Sequence, residues 1–118
     1  MKSNKRAEGN TGETIAVDFL QKKGYSILER NFRYERGEID IIADDKGALV
    51  FIEVKARRSA AFGEPLEAVT ERKRAQIRKV ADGYLFLHNI DDRECRFDVV
   101  AIRYIGKKID IQHFENAF

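Results

Sequence analysis

The chain contains very few of the residues that mark disulfide-stapled or zinc-binding proteins. Its 118 residues include one cysteine, two histidines, one proline and no tryptophan. A single cysteine, Cys95, cannot close an intramolecular disulfide, which excludes a stapled secreted scaffold. We interpret Cys95 as a small, buried strand residue. The histidines, His88 and His113, have neither zinc-ligand nor catalytic-triad spacing, so we expect both on the surface without a role.

Long apolar runs and the common nucleotide-binding and hydrolase motifs are also missing. No stretch approaches the roughly 18 apolar residues of a membrane span, and the basic N-terminus has no signal-peptide apolar segment. We therefore expect a cytoplasmic protein. The absence of a Walker-type loop, of Gly-x-Gly-x-x-Gly and of Gly-x-Ser-x-Gly argues against triphosphatases, dinucleotide-binding enzymes and α/β-hydrolases.

The composition is that of a soluble globular protein, with 36% charged and 43% hydrophobic residues. A chain of this length can bury one core. We expect a single domain over residues 10–118, preceded by a disordered polar N-terminus over residues 1–9. The net charge of +2 is too small to identify a nucleic-acid partner. Basic residues nevertheless cluster after one predicted strand (Lys55, Arg57, Arg58) and along one predicted helix (Arg72, Lys73, Arg74, Arg78, Lys79).

The spacing of apolar residues predicts a helix, three strands, a second helix and two more strands. Asn10 and Glu13 fit a capping box at the start of the first helix, which Gly24 ends. The later elements are expected at residues 25–33, two motif strands up to about 57, a mobile loop at 59–64, then 70–88, 96–105 and 108–114. This order predicts an α/β fold with a mixed five-stranded sheet flanked by helices.

Charged residues interrupt the two motif strands, which contain residues 37–42 and 49–55. Because strand side chains alternate, Glu53 and Lys55 lie on the same face as the apolar Phe51. An unpaired charge in a buried strand costs several kcal/mol or more, so these groups should be paired, bound to metal or at the rim of a cleft.

The segment between the two strands is rich in turn-forming residues. If Lys46 and Gly47 form a two-residue turn, Asp40 lies directly opposite Glu53, and Glu38 opposite Lys55. A four-residue loop instead makes Asp40 diagonal to Glu53 on the same face. Two carboxylates this close repel one another, and a divalent cation would hold both ionised. Oxygen ligands suit Mg²⁺ or Mn²⁺ better than zinc.

The same charges also have a purely structural interpretation. Glu38 and Lys55 could form a cross-strand ion pair, and Glu53 could face one of the arginines. We favour the metal site because the apolar flanks, the spacing of Asp40 and Glu53, and the Glu-x-Lys triplet occur together.

Asp40 followed by Glu53-Val54-Lys55 resembles the PD-(D/E)-x-K signature of restriction-endonuclease-like nucleases, with Ile39 where many members have proline. From about Gly9 onwards the chain more closely resembles the bacterial YraN family, which is similar to archaeal Holliday junction resolvases. The segments that carry this likeness are Gly12-Glu13, Gly24-Tyr25, Asn31-Phe32-Arg33, Gly37-Glu38-Ile39-Asp40, Phe51-Ile52-Glu53-Val54-Lys55 and Arg96-Phe97-Asp98-Val99-Val100. The resemblance implies the αβββαβ core of that superfamily.

The resemblance also implies roles for individual residues. Asp40, Glu53 and the Val54 carbonyl would bind the metal, and Lys55 would orient the attacking water or neutralise the transition state. The family places an acidic residue on the first helix near the metal, so Glu13 is either a ligand or the capping residue described above.

Further residues are candidates for contacts with nucleic acid. They are Arg33, Arg36, Arg57, Arg58, Lys73 and Gln76. We expect DNA rather than RNA, and a homodimer, because a resolvase-like enzyme cuts two strands symmetrically.

We therefore expect a metal-dependent endonuclease that hydrolyses phosphodiester bonds, with branched DNA as a candidate substrate. Two alternatives remain open. One is a non-catalytic nucleic-acid-binding module on a nuclease fold, and the other is an interaction protein whose strand charges are purely structural.

Overall fold

The computed structural model describes residues 5–58 and 65–118. In these ranges the elements are α1 (Lys5–Lys22), β1 (Ser26–Tyr34), β2 (Gly37–Asp45), β3 (Ala48–Arg57), a 3₁₀ helix (Pro65–Ala68), α2 (Glu71–Leu87), β4 (Cys95–Ile105) and β5 (Lys108–Phe114). The five strands form one sheet in the order β1-β2-β3-β4-β5. β3 and β4 are parallel and the other pairs are antiparallel, which confirms the predicted mixed α/β fold.

The first helix begins earlier than the sequence suggested. Since α1 starts at Lys5, Asn10 and Glu13 lie inside the helix, and the proposed capping box at Asn10 is wrong. Of the predicted disordered segment, residues 1–4 lie outside the described residues and 5–9 belong to α1. The predicted mobile loop at 59–64 also lies outside the described residues. No helix in the described ranges is long and apolar enough to cross a membrane.

Each face of the sheet packs against one helix. Val50 and Ile52 of β3 belong to the cluster that includes Leu20 of α1, whereas Leu49 and Phe51 belong to the cluster formed with α2. The remaining buried members are Ala16, Tyr25, Ile41, Ala43, Val100 and Ile102 on the α1 side, and Phe32, Ile39, Ile42, Val69, Ile77, Val80, Ala81, Tyr84 and Val99 on the α2 side. β3 is therefore apolar on both faces until it reaches Glu53.

The regular alternation of β2 breaks at Asp40. Ile39 packs in the cluster on the α2 side, but Ile41, two residues later, packs on the α1 side. The pairing of β1 with β2 also skips this point, because Arg30 pairs with Ile41 and Phe32 with Ile39. The opposing residue, Asn31, has a positive φ of 54°. An ideal pleat keeps residues i and i+2 on one face of the sheet. The backbone is therefore irregular in both strands at this point, at Asp40 in β2 and at Asn31 in β1.

α2 is fixed in place by a cap and by a close approach to the first hairpin. Thr70 caps the helix by accepting a hydrogen bond from Lys73 N at 3.2 Å. A Cβ atom on Gly83 would overlap the ring of Tyr34. Glycine at this position lets α2 lie close to β1, which sets the position of Lys73 at the other end of the helix.

A buried polar cluster joins β4 to β5 and corrects two predictions. Asp98 is fully buried and accepts hydrogen bonds from Arg96 Nη2 at 2.9 Å and from Asn116 N at 2.9 Å. His113 Nε2 lies 2.8 Å from the same carboxylate, and its side chain is 3% exposed, so the prediction of a surface histidine is wrong. Cys95 is exposed at the start of β4 rather than buried.

Candidate metal centre

A cleft of about 550 Å³ lies where α1 meets the ends of β2 and β3. It is lined by Thr11, Glu13, Asp40, Glu53, Val54, Lys55, Ala56, Arg57, Arg58 and Tyr104. All five residues that the resemblance assigned to metal binding or catalysis are therefore brought together. Two of the predicted nucleic-acid contacts, Arg57 and Arg58, lie in the same cleft.

The turn between β2 and β3 determines how the two principal carboxylates face each other. Lys46 and Gly47 have φ values of 52° and 97°, and Asp45 pairs with Ala48 across them. This is the two-residue turn that the sequence allowed. Continuing this register places Asp40 opposite Glu53.

Backbone pairing between β2 and β3 ends just before this pair. The last paired residues are Ile41 and Ile52. Beyond them, Val54 N donates to Asp40 Oδ2 at 2.8 Å, so a side chain takes the place of a backbone acceptor. The strands separate here, and the Asp40 carboxylate is held at the edge of the cleft.

The negative charge of Asp40 is poorly balanced by the groups around it. Burial, and then the negative charge of Glu53, raise its pKa from 3.8 to about 7, while the hydrogen bond from Val54 N lowers it. Glu13 and Glu38 raise it further. A carboxylic acid with a pKa near 7 and acidic neighbours is a group that a divalent cation would ionise and stabilise.

Glu53, by contrast, is held by two lysines. It is 5% exposed, and its Oε2 lies 3.5 Å from Lys55 Nζ and 3.8 Å from Lys73 Nζ. Lys73 comes from α2 and was predicted from the sequence only as a phosphate contact. The structure places it against the second carboxylate, so each helix contributes a charged residue to the site.

Glu13 lies in the cleft, as a metal ligand would require. Gly12 permits the close approach of α1, because a Cβ there would be 3.0 Å from Ala56 Cβ. Glu13 Oε1 accepts a hydrogen bond from Asn31 Nδ2 at 2.9 Å and lies 3.9 Å from Arg30 Nη2. The capping interpretation of Glu13 is wrong, because Glu13 lies inside α1. Its role as a ligand stays a prediction.

Glu38 does not pair with Lys55. Its carboxylate lies 3.5 Å from Arg33 Nε and accepts a hydrogen bond from Asn31 Nδ2 at 2.9 Å. The ideal register predicted otherwise because it assumed regular alternation through Asp40. Sequence reasoning also missed Asn31 as a site residue, although asparagine inside a strand is among the non-glycine residue types that most readily adopt positive φ.

The residues present fit a hard divalent cation without forming a complete cage. In residues 5–58 and 65–118, no three His, Cys, Asp or Glu side chains are arranged to hold a metal ion by themselves. Mg²⁺ is commonly bound through one or two carboxylates, with waters and substrate phosphates completing its shell. Asp40 and Glu53 supply two carboxylates, and Val54 lines the cleft beside them.

The predicted nucleic-acid contacts do not form one surface. Arg57 and Arg58 line the cleft, and the Arg58 guanidinium lies 5.9 Å from the centre of the Tyr104 ring. Arg36 and Gln76 instead line a separate groove between the β1–β2 turn and α2, where Gln76 Nε2 donates to Arg36 O at 3.3 Å. Arg33, with its side chain 77% exposed, lies next to Glu38.

Comparison with known proteins identifies relatives over almost the entire chain. The sequence model of the Uncharacterised protein family UPF0102 matches residues 12–102. A UPF0102 protein of Acetivibrio thermocellus is 50% identical over 124 residues, which covers 99% of this chain and 95% of the relative. One from Alkaliphilus oremlandii is 50% identical and covers 93% of this chain and 96% of the relative. One from Chlorobium phaeobacteroides is 46% identical and covers 100% and 98%.

Proposed function

The chain belongs to the Uncharacterised protein family UPF0102, the YraN family, and we propose that it is a metal-dependent endonuclease that hydrolyses phosphodiester bonds. One observation carries the proposal. Asp40 and Glu53 oppose each other in a cleft, with Lys55 on the same strand and 3.5 Å from Glu53. The residues match in type and order the PD-(D/E)-x-K signature, and their placement is the one that metal-assisted hydrolysis needs.

The fold supports placing the chain in the restriction-endonuclease-like superfamily. Its elements follow the order helix, three strands, helix, strand, with one further strand at the end. The sheet is antiparallel through the hairpin that carries the site and parallel across the α2 crossover. This is the order expected of the αβββαβ core, and Asp40, Glu53 and Lys55 lie on its second and third strands.

The chain's own groups have distinct tasks in the proposed reaction. A bound Mg²⁺ or Mn²⁺ supplies a Lewis acid and lowers the pKa of a bound water. Asp40 and Glu53 provide negatively charged oxygen ligands for it. The Lys55 ammonium lies in the cleft, where it can orient water or neutralise charge that develops on the phosphate.

Lys73 supports the site from outside the cleft lining. Its ammonium and that of Lys55 both lie within 4 Å of the Glu53 carboxylate and offset its negative charge in a nearly buried position. Lys55 is thereby not the sole counter-ion of Glu53. It can then turn to the substrate without leaving a buried charge unpaired.

The charge of the cleft supports a polyanionic substrate once metal is bound. Its lining contains three acidic residues (Glu13, Asp40, Glu53) and three basic residues (Lys55, Arg57, Arg58). With all six ionised they balance, and a divalent cation leaves an excess of two positive charges. We propose that Arg57 and Arg58 contact the phosphate backbone, with branched DNA as the favoured substrate.

A cleavage panel tests the proposal. Labelled single strands, duplex, flap and four-way junction, as DNA and as RNA, are incubated with Mg²⁺ or Mn²⁺ and either wild type, Asp40→Asn or Asp110→Asn. Asp110 is an exposed strand aspartate outside the cleft and serves as the matched control. We expect metal-dependent cleavage of at least one substrate by wild type and Asp110→Asn, and none by a folded Asp40→Asn.

Two results of the panel would contradict the nuclease proposal. Equal cleavage by Asp40→Asn would point to a contaminating enzyme or another site. Binding of nucleic acid on native gels without cleavage under any condition would favour the non-catalytic binding module.

We further propose that the active enzyme is a homodimer when it acts on a symmetric junction. Cutting two strands symmetrically requires two sites, which a two-fold dimer supplies. Analytical ultracentrifugation with junction DNA should then show two copies per junction. One copy per junction would contradict the dimer and favour an enzyme that nicks a single strand.

A further inference from the structure

We propose that Asn31 is a positioning residue that holds Glu13 in the cleft beside Asp40, an inference that rests on the proposed metal-dependent function. Its amide nitrogen lies 2.9 Å from Glu13 Oε1 and 2.9 Å from Glu38 Oε2. One side chain from β1 therefore connects a carboxylate of α1 with one of β2.

The chemistry of the two partners fixes the orientation of this amide. An ionised carboxylate only accepts hydrogen bonds, and an amide nitrogen carries two N–H donors. The nitrogen of Asn31 must therefore face both glutamates, with one N–H directed to each. Turning the amide over would bring its oxygen against two carboxylates and remove from both of them the donor that Asn31 supplies.

A neutral donor suits this position better than a cation would. A lysine or arginine here would neutralise Glu13 and compete with a metal ion for its charge. The amide orders the carboxylate and leaves its charge in place. The nearest cationic group of Glu13 in the described parts of the chain is Arg30 Nη2, at 3.9 Å. Without the amide, we expect Glu13 to turn towards Arg30.

The backbone at Asn31 is shaped for this contact. Its φ of 54° lies in the left-handed region, which asparagine adopts more readily than most residues. Asn31 and Asp40 are also left out of the pairing between β1 and β2. The irregularity in the pairing of β1 with β2 therefore coincides with the residue that binds Glu13 and Glu38.

A double-mutant cycle on Mn²⁺ affinity, measured by titration calorimetry, tests the role of Asn31. Asn31→Gly removes the amide and keeps the positive φ without strain. Glu13→Gln removes the charge that Asn31 is proposed to position. We expect Asn31→Gly to weaken Mn²⁺ binding about tenfold, as is typical when an outer partner of a ligand is lost, and Glu13→Gln to weaken it at least as much. The double variant should bind no more weakly than Glu13→Gln alone.

The controls separate this role from general damage. Asn89→Gly removes an asparagine with the same backbone conformation, φ 53°, outside the cleft, and it should bind Mn²⁺ like wild type. Asn31→Ser retains one donor and should give an intermediate affinity. It also takes the place of Asn31→Gly if that variant does not fold.

Three outcomes would overturn the inference. Wild-type affinity in Asn31→Gly, or Asn31→Ser where that stands in, would show that the amide does not matter. Independent, multiplicative effects in the double variant would show that Asn31 does not act through Glu13. If Asp40→Asn also binds Mn²⁺ like wild type, the proposed metal centre fails together with the inference. If Asp40→Asn loses Mn²⁺ binding while the Asn31 variant binds like wild type, the metal centre stands and only the role of Asn31 fails.

Discussion

At the scale of single residues, the site is defined by the contrast between two carboxylates on adjacent strands. Glu53 is almost fully buried and has two lysines within 4 Å. Asp40 has acidic neighbours and a single backbone hydrogen bond, and burial and Glu53 raise its pKa to about 7. Its charge is therefore a cost to the metal-free fold, and a cation would relieve that cost.

This cost predicts that Asp40→Asn stabilises the metal-free protein at alkaline pH. The folded-state pKa lies above the ordinary value of 3.8, so the stability of wild type falls as pH rises from about 4 to about 7. Asparagine can still accept the hydrogen bond from Val54 N and carries no charge. We expect the free energy of unfolding of Asp40→Asn to exceed that of wild type by an amount on the order of 2 kcal/mol at pH 8, and this difference to shrink towards pH 4. Urea unfolding with a chelator present measures it.

The same experiment on Asp110→Asn provides the comparison. That exposed residue lies outside the cleft, and its substitution should change stability by only a few tenths of a kcal/mol. If wild type is instead more stable than Asp40→Asn at pH 8, the charge of Asp40 does not destabilise the metal-free fold.

The two lysines around Glu53 should differ in their effect on cleavage. Lys55 lines the cleft, whereas Lys73 reaches Glu53 from α2. We expect Lys55→Met to lower the single-turnover cleavage rate about 100-fold, as for loss of a group that stabilises transition-state charge. Lys73→Met should lower it less than about tenfold, because Lys55 still pairs with Glu53. Equal losses would show that the two ammonium groups share one role.

At the scale of the elements, the sequence predicted the strands and α2 well. β5 has the predicted bounds, Lys108–Phe114, and α2 runs from Glu71 to Leu87 within the predicted 70–88. Periodicity works for these elements because each has a single apolar face or a continuous apolar run. The start of α1 was missed, since a polar, glycine-containing segment such as residues 5–10 carries no apolar period.

The close approach of α2 to β1 makes a prediction that reverses the usual helix rule. Replacing glycine by alanine inside a helix normally stabilises it by about 1 kcal/mol. At Gly83 the added Cβ would overlap the Tyr34 ring, so we expect Gly83→Ala to lower stability by about 1–3 kcal/mol. Thermal unfolding measured against the exposed neighbour variant Asp82→Ala, which should be neutral or stabilising, checks this. A higher melting temperature for Gly83→Ala would contradict the close contact.

At the scale of the whole molecule, Asp98 links segments that are distant in the chain. Its carboxylate binds Arg96, His113 and Asn116 N, and Arg96 extends the cluster to Tyr25 at 2.7 Å and Asp45 at 3.2 Å. Burial raises the pKa of Asp98, but the hydrogen bonds from His113 and Arg96 outweigh it and hold the pKa below its usual value. The β4–β5 end of the sheet is therefore held by polar contacts as well as by its apolar clusters.

Asp98→Asn should therefore destabilise the protein by about 3 kcal/mol at pH 7, because Arg96 would be left partly buried without its main counter-ion. Because the folded-state pKa of Asp98 is depressed, its ionised carboxylate stabilises the fold fully above its ordinary pKa of 3.8. This stabilisation is lost as the pH falls through the folded-state pKa. Urea unfolding at pH 7 and pH 3 measures both effects. If the difference in unfolding free energy between wild type and Asp98→Asn is the same at both pH values, the stabilisation does not come from an ionised, hydrogen-bonded Asp98 carboxylate.

The candidate site illustrates what sequence could and could not supply. Residue type and spacing predicted Asp40, Glu53 and Lys55, because a two-residue turn brings the first two together by simple counting. The contacts of Glu38 and the role of Asn31 depend on an irregular backbone that no periodicity reveals. Lys73 reaches Glu53 only because α2 packs close to the hairpin, which is a property of tertiary structure.

The most direct test of the account is the affinity for Mn²⁺ at pH 6 and at pH 8, for wild type and Asp40→Asn. If the cation binds ionised Asp40 opposite Glu53, a pKa of about 7 means that binding at pH 6 must release a proton. The wild-type affinity should then rise about tenfold from pH 6 to pH 8, and Asp40→Asn should bind far more weakly at both. Equal binding by the two proteins, with the same pH dependence, would contradict the metal centre.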